Sequence, residues 1–385
     1  MISYGRQSIS RADIDAVVEI LQSDYLTGGP AVEQFEDSLN SYFGSNYACA
    51  VTNGTAALHL AGLALGWQPK DVVITSPITF LATANCIVYA GATPDFADID
   101  PTTYTIDVNS VEDAIKRNHA KGNNVKAVIG IDYAGHPCDW NGLRVLADKY
   151  DFQLVNDNCH ALGASYKDQK GYAVSYADVV VQSYHPVKHI TTGEGGAVLT
   201  NHRDVYEKVM LLRAHGIEKD PRKINKYEGP WYYQMHTIGF NYRITDIQCA
   251  LGRSQLQRLN DFIGKRRNIA ARYDNIFKSS EVANSPLAAN DIIHSYHLYP
   301  LQINFETTKL SKSELFKAME SEGIRLQVHY IPIHWQSYYE THYDFERSQF
   351  PNAVEFYHRE ISLPIYPDLT ESEQNKVIQA LVNHL

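Results

Sequence analysis

Cysteine is scarce: five residues (Cys49, Cys86, Cys138, Cys159, Cys249) are scattered over 385 positions. An odd number without paired or metal-type spacing argues against a disulfide framework and predicts a reduced, cytoplasmic setting with no bound metal. Positive charge is also in short supply, with 34 Lys and Arg against 44 Asp and Glu and a formal charge of −10. A nucleic-acid partner would favour a basic face, so that class is disfavoured, whereas a small anion held by a few local donors is not. No run of about 18 apolar residues occurs, and the opening MISYGRQSIS lacks the apolar heart of a secretory leader. The sequence therefore predicts neither a membrane span nor export.

What is present is ordinary in bulk and specific in pattern. Hydrophobic residues make up 44% and charged residues 20%, as in a globular protein, and tyrosine is abundant at 26. Tyrosine pairs an apolar body with a polar tip and suits wet clefts and interfaces. Ser10 and Asp13 open a helix whose apolar positions Ile14, Val17, Val18 and Leu21 share one face, and Gly44 ends a second helix. Short apolar runs then follow: YACAVT, DVVIT, VKAVIGI, FQLVND, ADVVVQS and GAVLT. Several are continuous rather than alternating, as strands buried on both faces are, and helical stretches separate some of them. This predicts an α/β fold with a mostly parallel sheet over residues 1–250 and a smaller α+β domain over 251–385. The segment 216–241 is long and irregular, with clustered aromatics that argue against disorder.

Open α/β sheets bind ligands beyond the carboxyl ends of their strands, and four such ends carry unusual residues. Asn53-Gly54-Thr55 reads either as an ordinary turn and cap or as an anion site at a helix start. Phe80 belongs either to the core or to a stack on a flat ligand. Asp157 is either a cap or a carboxylate for a protonated ring nitrogen. Lys188 follows Ser183 and precedes the glycine-rich Gly193-Glu194-Gly195-Gly196. Alone it reads as a surface lysine; in a desolvated pocket it becomes a nucleophilic amine. Together the four ends match pyridoxal phosphate, which needs an anion cradle, a stacking ring, an acid at the pyridine nitrogen and an amine for its aldehyde.

NGTAALHL, SPITFLATAN, DNCHALGA, SYHPVKHITTGEGGAV and GFNYRITDIQCALG resemble the DegT/StrS-type sugar aminotransferases that use pyridoxal phosphate. The resemblance runs over nearly the whole chain and implies an aspartate-aminotransferase-like, fold type I large domain. It implies that Lys188 holds the cofactor and carries protons while Asp157 meets the pyridine nitrogen. Gly54, Thr55, Ala56 and Ser183 would hold the phosphate, Phe80 would stack, His160 would lie near the ring 3-oxygen, and Asn241 would reach across from the partner of a homodimer. Tyr4, Leu26-Thr27-Gly28-Gly29, His185 and Gln327-Val328-His329-Tyr330 would line the sugar-nucleotide site. DYLTGGP, EGPWYYQMHTIGFNYR and LQVHYIPIH are most similar to the branch that moves an amino group from L-glutamate to C4 of a UDP-linked 4-keto-6-deoxy L-sugar in pseudaminic acid synthesis. The alternatives are a transaminase for another keto sugar or a non-catalytic sensory homologue. Two positions depart from the common pattern, Asn156-Asp157-Asn158-Cys159 and His189, and neither removes a catalytic group.

Overall fold

Continuous apolar runs become the strands of one central sheet in the computed structural model, which describes residues 1–288 and 291–385. The strands are β1 (Tyr47–Val51), β2 (Asp71–Thr75), β3 (Thr93–Phe96), β4 (Asn124–Ile131), β5 (Gln153–Asp157), β6 (Val179–Ser183) and β7 (Gly196–Thr200). They lie in the order β1-β7-β6-β5-β4-β2-β3. β2 to β6 pair in parallel, and β7 alone runs antiparallel to both of its neighbours. β3 is the strand that the apolar-run pattern does not reveal, because it contains Pro94. Its place at the sheet edge is where a residue without an N–H is tolerated.

Side chains alternate across the strands, so each strand feeds two cores. Val72 and Ile74 join Phe35, Leu39, Leu143 and Leu154 on one face. Val73 joins Leu58, Ile87, Val155 and Val209 on the other. Helices therefore cover both faces, and the parallel strands end together on one side of the sheet. The fold is the pyridoxal-phosphate fold type I α/β architecture that the motifs imply.

A third core gathers Tyr273, Phe277, Leu301, Met319, Ile361, Val377 and Leu381. It unites helices Leu259–Phe277, Lys312–Ser321 and Glu371–His384 with an antiparallel sheet of Ala283–Asn284, Tyr299–Ile303 and Glu360–Leu363. Ile333, Tyr339 and Phe356 pack elsewhere, against Phe96 and Tyr133 of the central-sheet layer. The helical pattern from Ile244 to Phe277 is two helices, Asp246–Gln257 and Leu259–Phe277, parted at Arg258.

The first helix, Arg11–Leu21, has the expected Ser10–Asp13 capping box. Its apolar face is not buried: Ile14, Val18 and Leu21 are all exposed. Asp13 turns inward instead, accepting from Ser254 Oγ at 2.6 Å and from Arg258 Nη1 at 2.9 Å.

Candidate active site

Four strand ends converge on one cavity of about 690 Å³, within the usual size range of ligand pockets. β5 delivers Asp157 to its floor. This carboxylate is only 5% exposed, accepts a hydrogen bond from Thr83 Oγ1 at 2.7 Å and another from the Cys159 N–H at 3.2 Å. Thr83 in turn lies 2.9 Å from Thr79 Oγ1. Two hydroxyls in series thus orient the one buried carboxylate that lines the cavity.

β6 ends at Ser183, and the following turn carries Lys188 into the cavity. Burial lowers the Lys188 amine from its ordinary value, while Cys159 and Asp157 pull the other way. The net direction favours a neutral, nucleophilic amine. Its Nζ lies 3.5 Å from His297 Nε2. His160 packs behind it with ring centroids 4.4 Å from His297, its Nε2 3.2 Å from the Tyr330 hydroxyl. Burial first, then Lys188, pushes both histidines well below the usual range, so both are neutral near pH 7.

β1 ends in a tight approach. Asn53 caps the helix Gly54–Ala64 by accepting from the Ala56 N–H at 2.8 Å. A Cβ on Gly54 would stand 2.9 Å from Ser183 Cβ, so only glycine lets the helix start and Ser183 form one cradle. Phe80 caps the helix Leu81–Tyr89 at the end of β2; it is 54% exposed and lines the cavity, so it is not a core residue. Gln327, Val328, His329 and Tyr330 form the far wall with Tyr4, whose ring lies 5.2 Å from that of His329, and His185 sits at the rim.

Several expected residues lie elsewhere within one protomer. Ala56 is buried in its helix and its N–H is already engaged by Asn53. Thr27 pairs with Thr245, and the Gly29 N–H donates to Asp246 Oδ2 at 2.8 Å, which holds Leu26–Gly29 away from the cavity. Asn241 is exposed and pairs with Ala214. Conversely, Thr79, Thr83, Cys159 and His297 line the cavity without having been singled out. The two threonines sit inside SPITFLATAN at a spacing of four, Thr79 just before the cap of the helix Leu81–Tyr89 and Thr83 in its first turn. His297 is masked by its strand-like neighbours in HSYHLYP.

The donor set fits pyridoxal phosphate. A desolvated amine, a buried carboxylate and a helix N-terminus opened by a glycine whose added Cβ would press on Ser183 face the same space. Sheet and site together define a pyridoxal-phosphate-dependent aminotransferase of fold type I. The chain belongs to the DegT/DnrJ/EryC1/StrS aminotransferase family, which it matches over residues 7–382. It is 37% identical to the UDP-4-amino-4,6-dideoxy-N-acetyl-beta-L-altrosamine transaminase of Campylobacter jejuni subsp. jejuni serotype O:23/36, over 100% of this chain and 98% of that one. Among solved structures it resembles Helicobacter pylori PseC, an aminotransferase involved in the biosynthesis of pseudoaminic acid. That likeness has a TM-score of 0.89 and 31% identity, and covers 100% of this chain and 98% of the other. The PLP-form of the putative sugar aminotransferase Spr1654 from Streptococcus pneumoniae is similar at TM-score 0.88 and 28% identity, covering 99% of each chain. The protein is a sugar aminotransferase, and its cofactor is pyridoxal phosphate. Among the described residues, no helix is long and apolar enough to cross a membrane.

Proposed function

We propose that the enzyme transfers the amino group of L-glutamate to C4 of UDP-2-acetamido-2,6-dideoxy-beta-L-arabino-hex-4-ulose. The product would be UDP-4-amino-4,6-dideoxy-N-acetyl-beta-L-altrosamine, the amino sugar of the pseudaminic acid route, with 2-oxoglutarate released. The observation that carries the reading is that Lys188, Asp157, Thr55 and Ser183 share one cavity whose far wall is the polar, aromatic Gln327–Tyr330 stretch. The choice of sugar is supported by the likeness to the Campylobacter transaminase along its full length.

In this reading Lys188 would hold the cofactor through its aldehyde. Its amine, once free, would be the group that takes the proton from the donor's α-carbon and gives one to C4 of the sugar. Asp157, held by Thr83, would keep a positive charge at the pyridine nitrogen, and the Gly54–Thr55 helix start with Ser183 would hold the phosphate. Pyridoxal phosphate supplies the electron sink that makes α-proton removal feasible. His160 and Phe80, which both line the cavity, would hold the cofactor ring, His160 toward its 3-oxygen and Phe80 against one face. The far wall with Tyr4 and His185 takes the sugar nucleotide. Asn241 and Leu26–Gly29, which lie off the cavity of their own protomer, serve the site of a second copy in a cytoplasmic homodimer.

The test is a panel of UDP-linked 4-keto-6-deoxy sugars of L and D configuration, each assayed with glutamate and with the product's ring position established by NMR. The reading requires the L-arabino 4-ketose to give the highest kcat/KM and a C4 amine. A better D-configured or 3-keto substrate would overturn the sugar while leaving the transaminase chemistry intact.

A further inference from the structure

The cavity wall hides a three-residue chain of hydrogen bonds. Its origin is the strand Glu360–Leu363 of the small sheet, where Glu360 is wholly buried. Glu360 Oε2 accepts from the His329 N–H at 3.0 Å, and its Oε1 accepts from the Ser362 hydroxyl at 2.5 Å. The same Ser362 oxygen lies 2.8 Å from His329 Nδ1. The His329 carbonyl accepts from the Tyr133 hydroxyl, so the residue is held at its N–H, its carbonyl and one ring nitrogen.

A hydroxyl has one proton to give. With Glu360 ionised, that proton goes to the carboxylate, and Ser362 turns a lone pair toward His329. Nδ1 must then carry the ring proton, which leaves Nε2 bare. Nε2 has no protein partner among the described residues, and it is not one of the sealed, unpartnered ring nitrogens found on His136, His189, His297 and His334. Because His329 lines the cavity, the free lone pair is available to what the cavity binds.

We propose that Glu360 is a positioning residue which, acting through Ser362, fixes His329 as a hydrogen-bond acceptor for a hydroxyl or acetamido N–H of the keto sugar. The inference rests on the nucleotide-sugar reading of the cavity. It gives a buried carboxylate on the outer side of the wall a part in reading the substrate.

The relay has a pH sense. The groups that act on Glu360 or face it are Lys312, whose charge favours the carboxylate, the neutral His329, and Tyr133, Tyr104 and Tyr330. Burial holds His329 down at about 3 and raises all three tyrosines, so none of these four changes charge near neutrality. Burial raises Glu360 above the ordinary carboxylate range against the pull of Lys312, and burial lowers Lys312 in turn, so these two groups titrate as a pair. Protonated Glu360 would donate to Ser362, Ser362 would donate to Nδ1, and Nε2 would become a donor. Sugar binding should therefore weaken as pH falls and Glu360, raised by burial, takes up its proton.

Glu360→Gln tests this directly. The amide oxygen must accept from the His329 N–H, so its NH2 faces Ser362 and imposes the reversed relay at every pH. In nitrogen NMR of the holoenzyme with labelled histidine, His329 is assigned by signals missing in His329→Gln. The expected result is an Nδ1–H tautomer in the wild type and an Nε2–H tautomer in Glu360→Gln. KM for the sugar should rise about tenfold, the worth of one hydrogen bond, with kcat falling less than threefold and the pH dependence of KM near neutrality lost. In Ser362→Ala, KM should rise similarly, and adding Glu360→Gln to that background should move the tautomer no further. An unchanged tautomer in Glu360→Gln, or a reversed tautomer with KM unmoved, overturns the proposal. The tautomer measurement needs no sugar, so a different preferred keto sugar would overturn the substrate assignment and not the relay.

Discussion

Lys188 is reactive because it is badly solvated. Only the neutral amine attacks an aldehyde, and burial lowers its pKa from the ordinary lysine value, so the neutral form is present at lower pH than on an exposed lysine. The direction makes a prediction at the level of one residue. The rate at which apoenzyme takes up pyridoxal phosphate should rise with pH as Lys188 loses its proton and should level off below about pH 10.4, the value for an exposed lysine. The growth of the visible band of the lysine-linked cofactor in a stopped-flow pH series measures it. Uptake that keeps climbing through the ordinary lysine range would contradict a desolvated Lys188. Lys188→Ala should lose the band and slow turnover by about two to four powers of ten, the usual worth of positioned acid–base transfer.

At the scale of elements, the strand ends were readable because chemistry interrupts hydrophobicity there. Asp157, Ser183 and Lys188 break apolar runs that packing alone would continue, and the Asn53 cap marks the helix behind it. β3 was not readable, since its four residues include Pro94 and it lacks a continuous run. The stretch IRLQVHYIPI reads as a strand but makes only two isolated pairings among the described residues, Ile324 with Ile2 and Gln327 with Ser362. Its N–H and carbonyl groups at His329 go to the side chains of Glu360 and Tyr133 instead, partners far away in sequence. The apolar face of Arg11–Leu21 misled for the same reason, because periodicity finds a face without saying what covers it. The meeting of the Gly54–Ala64 helix start with Ser183 is likewise long-range, and it is testable. Gly54→Ala forces a Cβ to 2.9 Å from that of Ser183. Overpacking of this kind costs about 1–3 kcal/mol, and here it falls on the proposed phosphate cradle. Cofactor dissociation followed by dialysis should quicken by about five- to 150-fold at that cost, with far-UV circular dichroism unchanged. Equal retention in the variant would place the phosphate elsewhere.

For the whole molecule, the proposal of a shared site has a signature that no single chain can produce. Trp231, Met235 and Ile238 lie exposed in the segment that leads to Asn241, and Leu26 is exposed beside the turn it begins. Light scattering should return about twice the 43.4 kDa of one chain. Lys188→Ala and Asn241→Ala should each be inactive alone. When equal amounts are unfolded together and reassembled, half the dimers should be hybrids, each with one intact site. About a quarter of wild-type activity should then return, whereas a self-contained site would return none.

The claim on which all of this depends is the bond between the cofactor and one lysine among the basic residues. Borohydride reduction of the holoenzyme, proteolysis and mass spectrometry of the cofactor-bearing peptide tests it most directly. The account predicts the pyridoxyl group on Lys188, within SYHPVKHITTGEGG. Its appearance on any other lysine, or on none, would contradict the site and the function built upon it.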